Sequence, residues 1–251
     1  MRLLALYAAA AYLFLYLPLA VLAIFSFNDS RFSEWTGFSW RWYRALAADP
    51  RLIPCTLNSL LIGLSATVLA TAAGTLAAYG LWKRRHPWLA ASLYLSLLSP
   101  EIVTGVSLLA LYQWMFRYLD LRLGLHTVIL AHVSFCVPYV VIVVMSRLKT
   151  MDPALEEAAL DLGATEWRAF WQVTLPQLWP GVAAAALLAF TISFDDFVIT
   201  SLVAGVDSET LPMLIYASAR RGISPALNAI STVIVVLLSA LILLSERLRE
   251  S

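Results

Sequence analysis

The chain alternates between long apolar runs and short polar breaks, without the sustained period-two alternation that marks strands. Six runs stand out, approximately Leu3 to Phe27, Leu57 to Trp82, Trp88 to Phe116, Leu125 to Ser146, Val182 to Val203 and Ala226 to Ser245. A helix needs about 20 apolar residues to cross the hydrocarbon of a bilayer, so each run is long enough to span. Inside hydrocarbon every backbone amide needs an internal partner, which helices supply; the pattern of a barrel strand is absent. The runs predict an all-α integral membrane protein, six transmembrane helices forming a single transmembrane domain over residues 1–251. Pro18, Pro100 and Pro138 fall inside runs and predict local kinks. The first run follows Arg2 and contains Val21-Leu22-Ala23, which looks like a cleavage site. Its length exceeds the apolar core of about 7 to 15 residues usual in a signal peptide, so it reads as an uncleaved anchor.

Composition agrees. Hydrophobic residues make up 61% of the 251 and charged residues 13%, with a mean hydropathy of +0.80; soluble domains lie nearer about 45–50% and about 25%. No large extramembrane domain fits. A net charge of +1 excludes a nucleic-acid partner, which would need a basic field. Cys55 and Cys136 are too few for a disulfide framework. The two lysines, Lys83 and Lys149, lack the upstream glycines of a phosphate-binding loop, so ATP must be hydrolysed elsewhere and this chain binds no cofactor itself. His126 and His132 lie on different helix faces and suggest no metal site, and His132 reads as a satisfied packing residue. A membrane enzyme is a poor fit.

Six crossings put both termini on one side, together with the turn Lys83-Arg84-Arg85-His86 and the long loop of about 147–180. Nine of the 17 Lys and Arg fall on that side, so only the density of the basic turn favours a cytoplasmic placement. The long loop reads as two short helices. Asp152 and Pro153 suit the start of the first and Gly163 its left-handed end, while Leu155, Ala158, Ala159 and Leu162 form an apolar stripe beside Glu156, Glu157 and Asp161. Thr165 suits the cap of the second, which carries Trp167, Phe170 and Trp171 and is expected to stop at Pro176. By periodicity alone, a helix pair lying on lipid headgroups and a docking knob for another protein fit equally well.

Glu157-Ala158-Ala159, followed by Gly163, Val173 and Leu175-Pro176 at their spacing, resembles the EAA loop of permease subunits of ABC importers, with Val173 where that pattern usually has Ile. Ser26 to Phe32, Leu98 to Val103, Glu157 to Pro176, Phe194 to Val198 and Leu211 to Met213 extend the resemblance over nearly the whole chain, to the permeases for spermidine and putrescine and within them to the second of two paired subunits. The resemblance implies a type I importer bundle in a bacterial inner membrane, with both termini cytoplasmic. It implies as partners a second permease subunit, two ATPase subunits that hold ATP and Mg²⁺, an extracytoplasmic substrate-binding protein and a polyamine. It further implies ATPase coupling through Glu156, Glu157, Ala158, Ala159, Gly163, Phe170, Leu175 and Pro176.

The costly residues are the intramembrane acids Glu101, Asp195 and Asp196. Counted from Trp88 and from Val182 at 1.5 Å per residue, Glu101 and Asp195 each lie about 20 Å along their helices and share a depth. An ionised acid at mid-bilayer costs about 2.5 to 3.5 kcal/mol on insertion scales, so these should face an aqueous path or a partner. A belt of carboxylates suits a polycation. The structural alternatives are a hydrogen bond to an aspartate from Thr191 or Thr200, an Arg partner, and a protonated Glu101 beside the Pro100 kink. On the opposite side, Asn28 to Thr56 carries Phe32, Trp35, Phe38, Trp40, Trp42 and Tyr43, a headgroup belt or part of a surface for the binding protein, with Arg220-Arg221 nearby. Two rival functions remain at this point: a related importer for thiamine, ferric iron or a phosphonate, and a stand-alone secondary transporter.

Overall fold

The computed structural model describes residues 2–30, 34–84, 86–119, 121–220 and 225–236. Arg31, Phe32, Arg85, Arg221, Gly222 and the second half of the sixth expected span, 237–245, lie outside the described residues. Helices account for nearly all the structure: α1 (Arg2–Phe25), α2 (Arg41–Ala47), α3 (Leu52–Lys83), α4 (Pro87–Leu98), α5 (Glu101–Leu119), α6 (Leu125–Leu148), α7 (Ala154–Asp161), α8 (Glu166–Ala169), α9 (Leu175–Asp195), α10 (Val198–Val203) and α11 (Leu211–Arg220). A twelfth, α12, covers Pro225–Val236. Among the described residues, four helices can cross a membrane by length and apolarity, and five when α4 and α5 count as one bent span. Among the described residues the only β feature is an isolated antiparallel bridge between Asn28 and Phe38.

Two of the expected spans take a different form. The third is not a kinked rod: α4 and α5 meet at Ser99-Pro100 with a bend of 110°. Pro100 cannot donate to the preceding turn and pushes Ser99 into an extended conformation, ψ 131°, which ends α4. Pro18 and Pro138, by contrast, are carried inside α1 and α6, which both continue past them. The fifth expected span, Val182 to Val203, starts earlier and ends sooner, as α9 from Leu175 to Asp195; Asp196 is extended, and α10 follows.

Contacts divide the chain into two units, Pro54–Met213 and a second made of Met1–Ile53 with Leu214–Ser251. In the first, α6 and α9 form the most extensive helix pair. One core cluster joins Ala70 and Ala78 of α3, Val140, Val144 and Leu148 of α6, and Leu178, Ala185 and Ala189 of α9. Small residues at these crossings let backbones approach closely where lipid offers no hydrophobic drive for association. Gly74 illustrates the limit, because a Cβ there would lie 2.6 Å from Val140 Cγ1. A second cluster packs Ile62 of α3, Tyr112 of α5, Val128 and Ala131 of α6, and Ile199 and Val203 of α10.

In the other unit α1 is exposed along its apolar length, while the aromatic segment after it is held by buried Asn28. The Asn28 amide donates to Glu34 O (2.7 Å) and accepts from Thr36 N (3.0 Å), and Trp42 Nε1 donates to Asn28 O (2.7 Å). The Phe27 ring packs against Phe38, Trp40 and Tyr43 at centroid separations of 5.0 to 5.1 Å. Trp42 is therefore a core residue, whereas Phe38 and Trp40 remain exposed.

Candidate translocation cavity and coupling loop

A cavity of about 450 Å³ opens where α4 ends, α5 begins and α9 breaks into α10, against α6. Glu101, Asp195 and Asp196 all line it, with Thr104, Phe135 and Tyr139 among the other walls, and no Lys or Arg is among the lining residues. The three expected acids do meet, though not by the depth count: the 110° bend takes Glu101 off the line from Trp88, and α9 begins well before Val182. Glu101 heads α5, with Thr104 N bonded to Pro100 O (3.1 Å) just behind it. Glu101 and Asp195 are exposed to the cavity side of the chain.

The neighbouring aspartates differ. Asp196 does not sit one step round a helix from Asp195; it lies in the break, its side chain 7% exposed. Its Oδ1 accepts from Ile199 N (3.3 Å), and its Oδ2 accepts from Thr200 N (2.8 Å) and Thr200 Oγ1 (2.7 Å), which caps α10. The expected bond to Thr200 is present, whereas Thr191 donates its hydroxyl to Leu187 O (2.8 Å). His132, fully buried on α6, reaches the same network: Nδ1 is 2.7 Å from Ser193 Oγ, and Nε2 is 2.9 Å from Thr200 Oγ1 and 3.5 Å from Asp196 Oδ2. The packing assignment for His132 stands, but its partners were invisible in the sequence because they lie 61 and 68 residues away.

The loop between α6 and α9 holds the other candidate residues. Asp152 Oδ1 accepts from Ala154 N (3.0 Å) at the start of α7, and Thr165 Oγ1 accepts from Arg168 N (3.3 Å) at α8. Gly163 has φ +88°, with Gly163 N donating to Leu160 O (2.9 Å) and Ala164 N to Ala159 O (3.0 Å), the paired bonds of a Schellman end. Leu155, Leu162, Trp167 and Trp171 are exposed, Leu162 at 90%, and so are Glu157 and Ala158. Ala159 is half-buried.

Three expectations for this loop need correction. Pro176 does not stop the second helix: a π-helical turn, Phe170–Thr174, carries α8 straight into α9. The widened turn relaxes the i→i−4 ladder just where Pro176 lacks an N–H, so Leu175 and Pro176 open a span rather than close a loop. Glu156 is not on the open surface but 3% exposed. Its Oε1 accepts from Lys83 Nζ (2.7 Å) and Tyr79 OH (2.5 Å) at the end of α3, and its Oε2 from Thr174 Oγ1 (2.9 Å). Burial alone would raise this carboxyl, but the bonds from Lys83, Tyr79 and Thr174 outweigh it and hold Glu156 below the ordinary carboxylate range. Phe170 is buried as well, its ring 4.6 Å from that of Tyr79. Glu156 and Phe170 thus anchor the loop to α3, and the surface open to another molecule is Glu157, Ala158, Leu162 and the two tryptophans.

Comparison with known proteins gives the family. The family described as "Binding-protein-dependent transport system inner membrane component" matches residues 70–250. The chain is 41% identical over 239 residues to the spermidine/putrescine transport system permease protein PotC of Haemophilus influenzae, covering 94% of this chain and 91% of that protein. It is 41% identical over 228 residues to the putrescine transport system permease protein PotI of Escherichia coli K12, covering 88% and 81%. Among solved structures, a bacterial ABC transporter that imports the acidic polysaccharide alginate superposes with a TM-score of 0.74 at 16% identity, over 96% of this chain and 93% of that one, a likeness of fold. The chain therefore belongs to the family of inner membrane components of binding-protein-dependent transport systems.

Proposed function

We propose that this permease forms one half of the pathway of an ATP-driven importer of putrescine or spermidine, paired with a second permease. The observation that carries the substrate class is the cavity: three carboxylates and no cationic side chain among its lining residues, beside the aromatic rings of Phe135, Tyr139 and Phe197. An alkyl diammonium loses its hydration on entering low dielectric. Carboxylates replace that hydration with charge-assisted hydrogen bonds, and ring faces attract ammonium groups. Identity near 40% to polyamine permeases over most of the chain supports the same reading.

In this reading both termini and the α7–α8 loop are cytoplasmic, and two ATPase subunits bind and hydrolyse MgATP while this chain does no covalent chemistry. The exposed face of Glu157, Leu162, Trp167 and Trp171 seats on an ATPase. Its displacement is passed to α3 through Glu156 and Phe170, and to α9 directly, because the π turn makes loop and span one continuous helix. Tilting α9 moves Asp195 relative to Glu101 and opens the cavity to alternate sides. A substrate-binding protein delivers the polyamine from outside.

The test is to copurify the chain with its partners and follow ATP-dependent uptake of labelled putrescine and spermidine into vesicles, with competition by thiamine, ferric iron and phosphonate. Saturable uptake of a polyamine that needs ATP and the ATPase is expected. Uptake without the ATPase would make the chain a secondary transporter, and competition by another ligand in place of polyamines would reassign the cargo.

A further inference from the structure

The break between α9 and α10 is held by a hydrogen-bond chain whose direction the chemistry decides. An ionised carboxylate only accepts, so Thr200 spends its one hydroxyl proton on Asp196 Oδ2, 2.7 Å away. Thr200 Oγ1 must then accept from His132 Nε2 (2.9 Å), and in the neutral ring, whose one proton is then on Nε2, Nδ1 accepts from Ser193 Oγ (2.7 Å). The chain runs Ser193 to His132 to Thr200 to Asp196, and it ties α6 to both sides of the break. Ser193, His132 and Thr200 are buried at 3% exposure or less. Asp195, the last residue of α9 before the break, lines the cavity with Glu101.

From this geometry we infer that His132 is a positioning residue for translocation: by donating from Nε2 to Thr200 it sets the break at Asp196 and so aims the Asp195 carboxylate into the cavity. The inference rests on the substrate pathway proposed above. It gives the two adjacent acids different tasks, Asp195 to meet the ammonium group and Asp196 to hold the turn. It also explains why a polar ring is buried in a mostly apolar helix, where an unpaired imidazole would be costly.

The test uses the assembled transporter in vesicles and reads the half-saturating putrescine concentration separately from the maximal ATP-dependent rate. Asp195→Asn should raise the half-saturating concentration. His132→Leu and Thr200→Val should each raise it about tenfold while changing the maximal rate by no more than about twofold. His132→Gln, whose amide places a donor near the Nε2 position, should return it to within about threefold of the unaltered protein. Adding His132→Leu to Asp195→Asn should cause no further rise. Should His132→Leu fail to assemble, Thr200→Val carries the comparison alone. Unaltered half-saturation in Thr200→Val or His132→Leu, or a Gln variant no better than Leu, overturns the positioning role while leaving the pathway in place. No change in Asp195→Asn overturns the pathway reading and this inference with it.

Discussion

A carboxylate's surroundings decide what it can do, and Glu156 and Glu157 make the contrast one peptide apart. Glu157 is exposed, and Glu156 is buried under three donors from α3 and the π turn. Since its folded pKa is depressed, Glu156 contributes stability that is present above the ordinary carboxylate pKa and is lost as pH falls through the folded value. Protease sensitivity of the loop should accordingly stay flat from about pH 6 to 8 and rise only in acid below the usual carboxylate range. Glu156→Gln should abolish that acid step and loosen the loop at neutral pH by about 1 to 3 kcal/mol, because Lys83 is left without its counter-charge. An acid transition unchanged in the Gln variant would assign it to another group.

At the scale of elements, helix ends matter more than helix interiors. α7 ends on Gly163 at φ +88°, where an added Cβ would meet no atom within 4 Å. Any penalty of substitution is therefore backbone strain, about 1 to 2 kcal/mol for a side chain that resists the left-handed region, and not a clash. Gly163→Val should cut ATP-driven uptake without reducing the amount of inserted protein, and Gly163→Asn, which tolerates that conformation, should be milder; equal uptake in the two variants would contradict the strain account. The π turn at Phe170–Thr174 does a second job of this kind. It lies in the turn before Pro176, whose missing N–H leaves the ladder one bond short, and the loop stays continuous with the span it is proposed to move.

For the whole molecule, the fold does not choose the cargo. The alginate importer shares this architecture at a TM-score of 0.74, yet its cargo is an acidic polysaccharide. The proposed pathway places this chain's own contribution to selectivity in the lining of the cavity, which is acidic and has no Lys or Arg among the lining residues. Glu101→Gln should weaken uptake of spermidine or putrescine severalfold while leaving the ATPase subunits bound, since Glu101 lies at the α4–α5 break and not in the loop. Loss of ATPase copurification in this variant would make Glu101 structural.

The order of apolar runs by itself determined the membrane class and the position of the one large polar loop, because burial in hydrocarbon imposes a length and a composition that any sequence must display. Local chemistry was equally legible: the Asp152 and Thr165 caps and the left-handed Gly163 depend on neighbours within a few residues. Tertiary structure decided the rest. Glu156 and Lys83, or His132 and Thr200, meet only after α3, α6 and α9 have packed, and no helical period encodes a partner some 70 residues away. The placing of Glu101 and Asp195 on one cavity also needs the packed helices. Their apparent equality of depth came from counting along straight rods, whereas the cavity exists because both rods are broken where the acids stand, one by proline and the other by an aspartate that caps the helix after it.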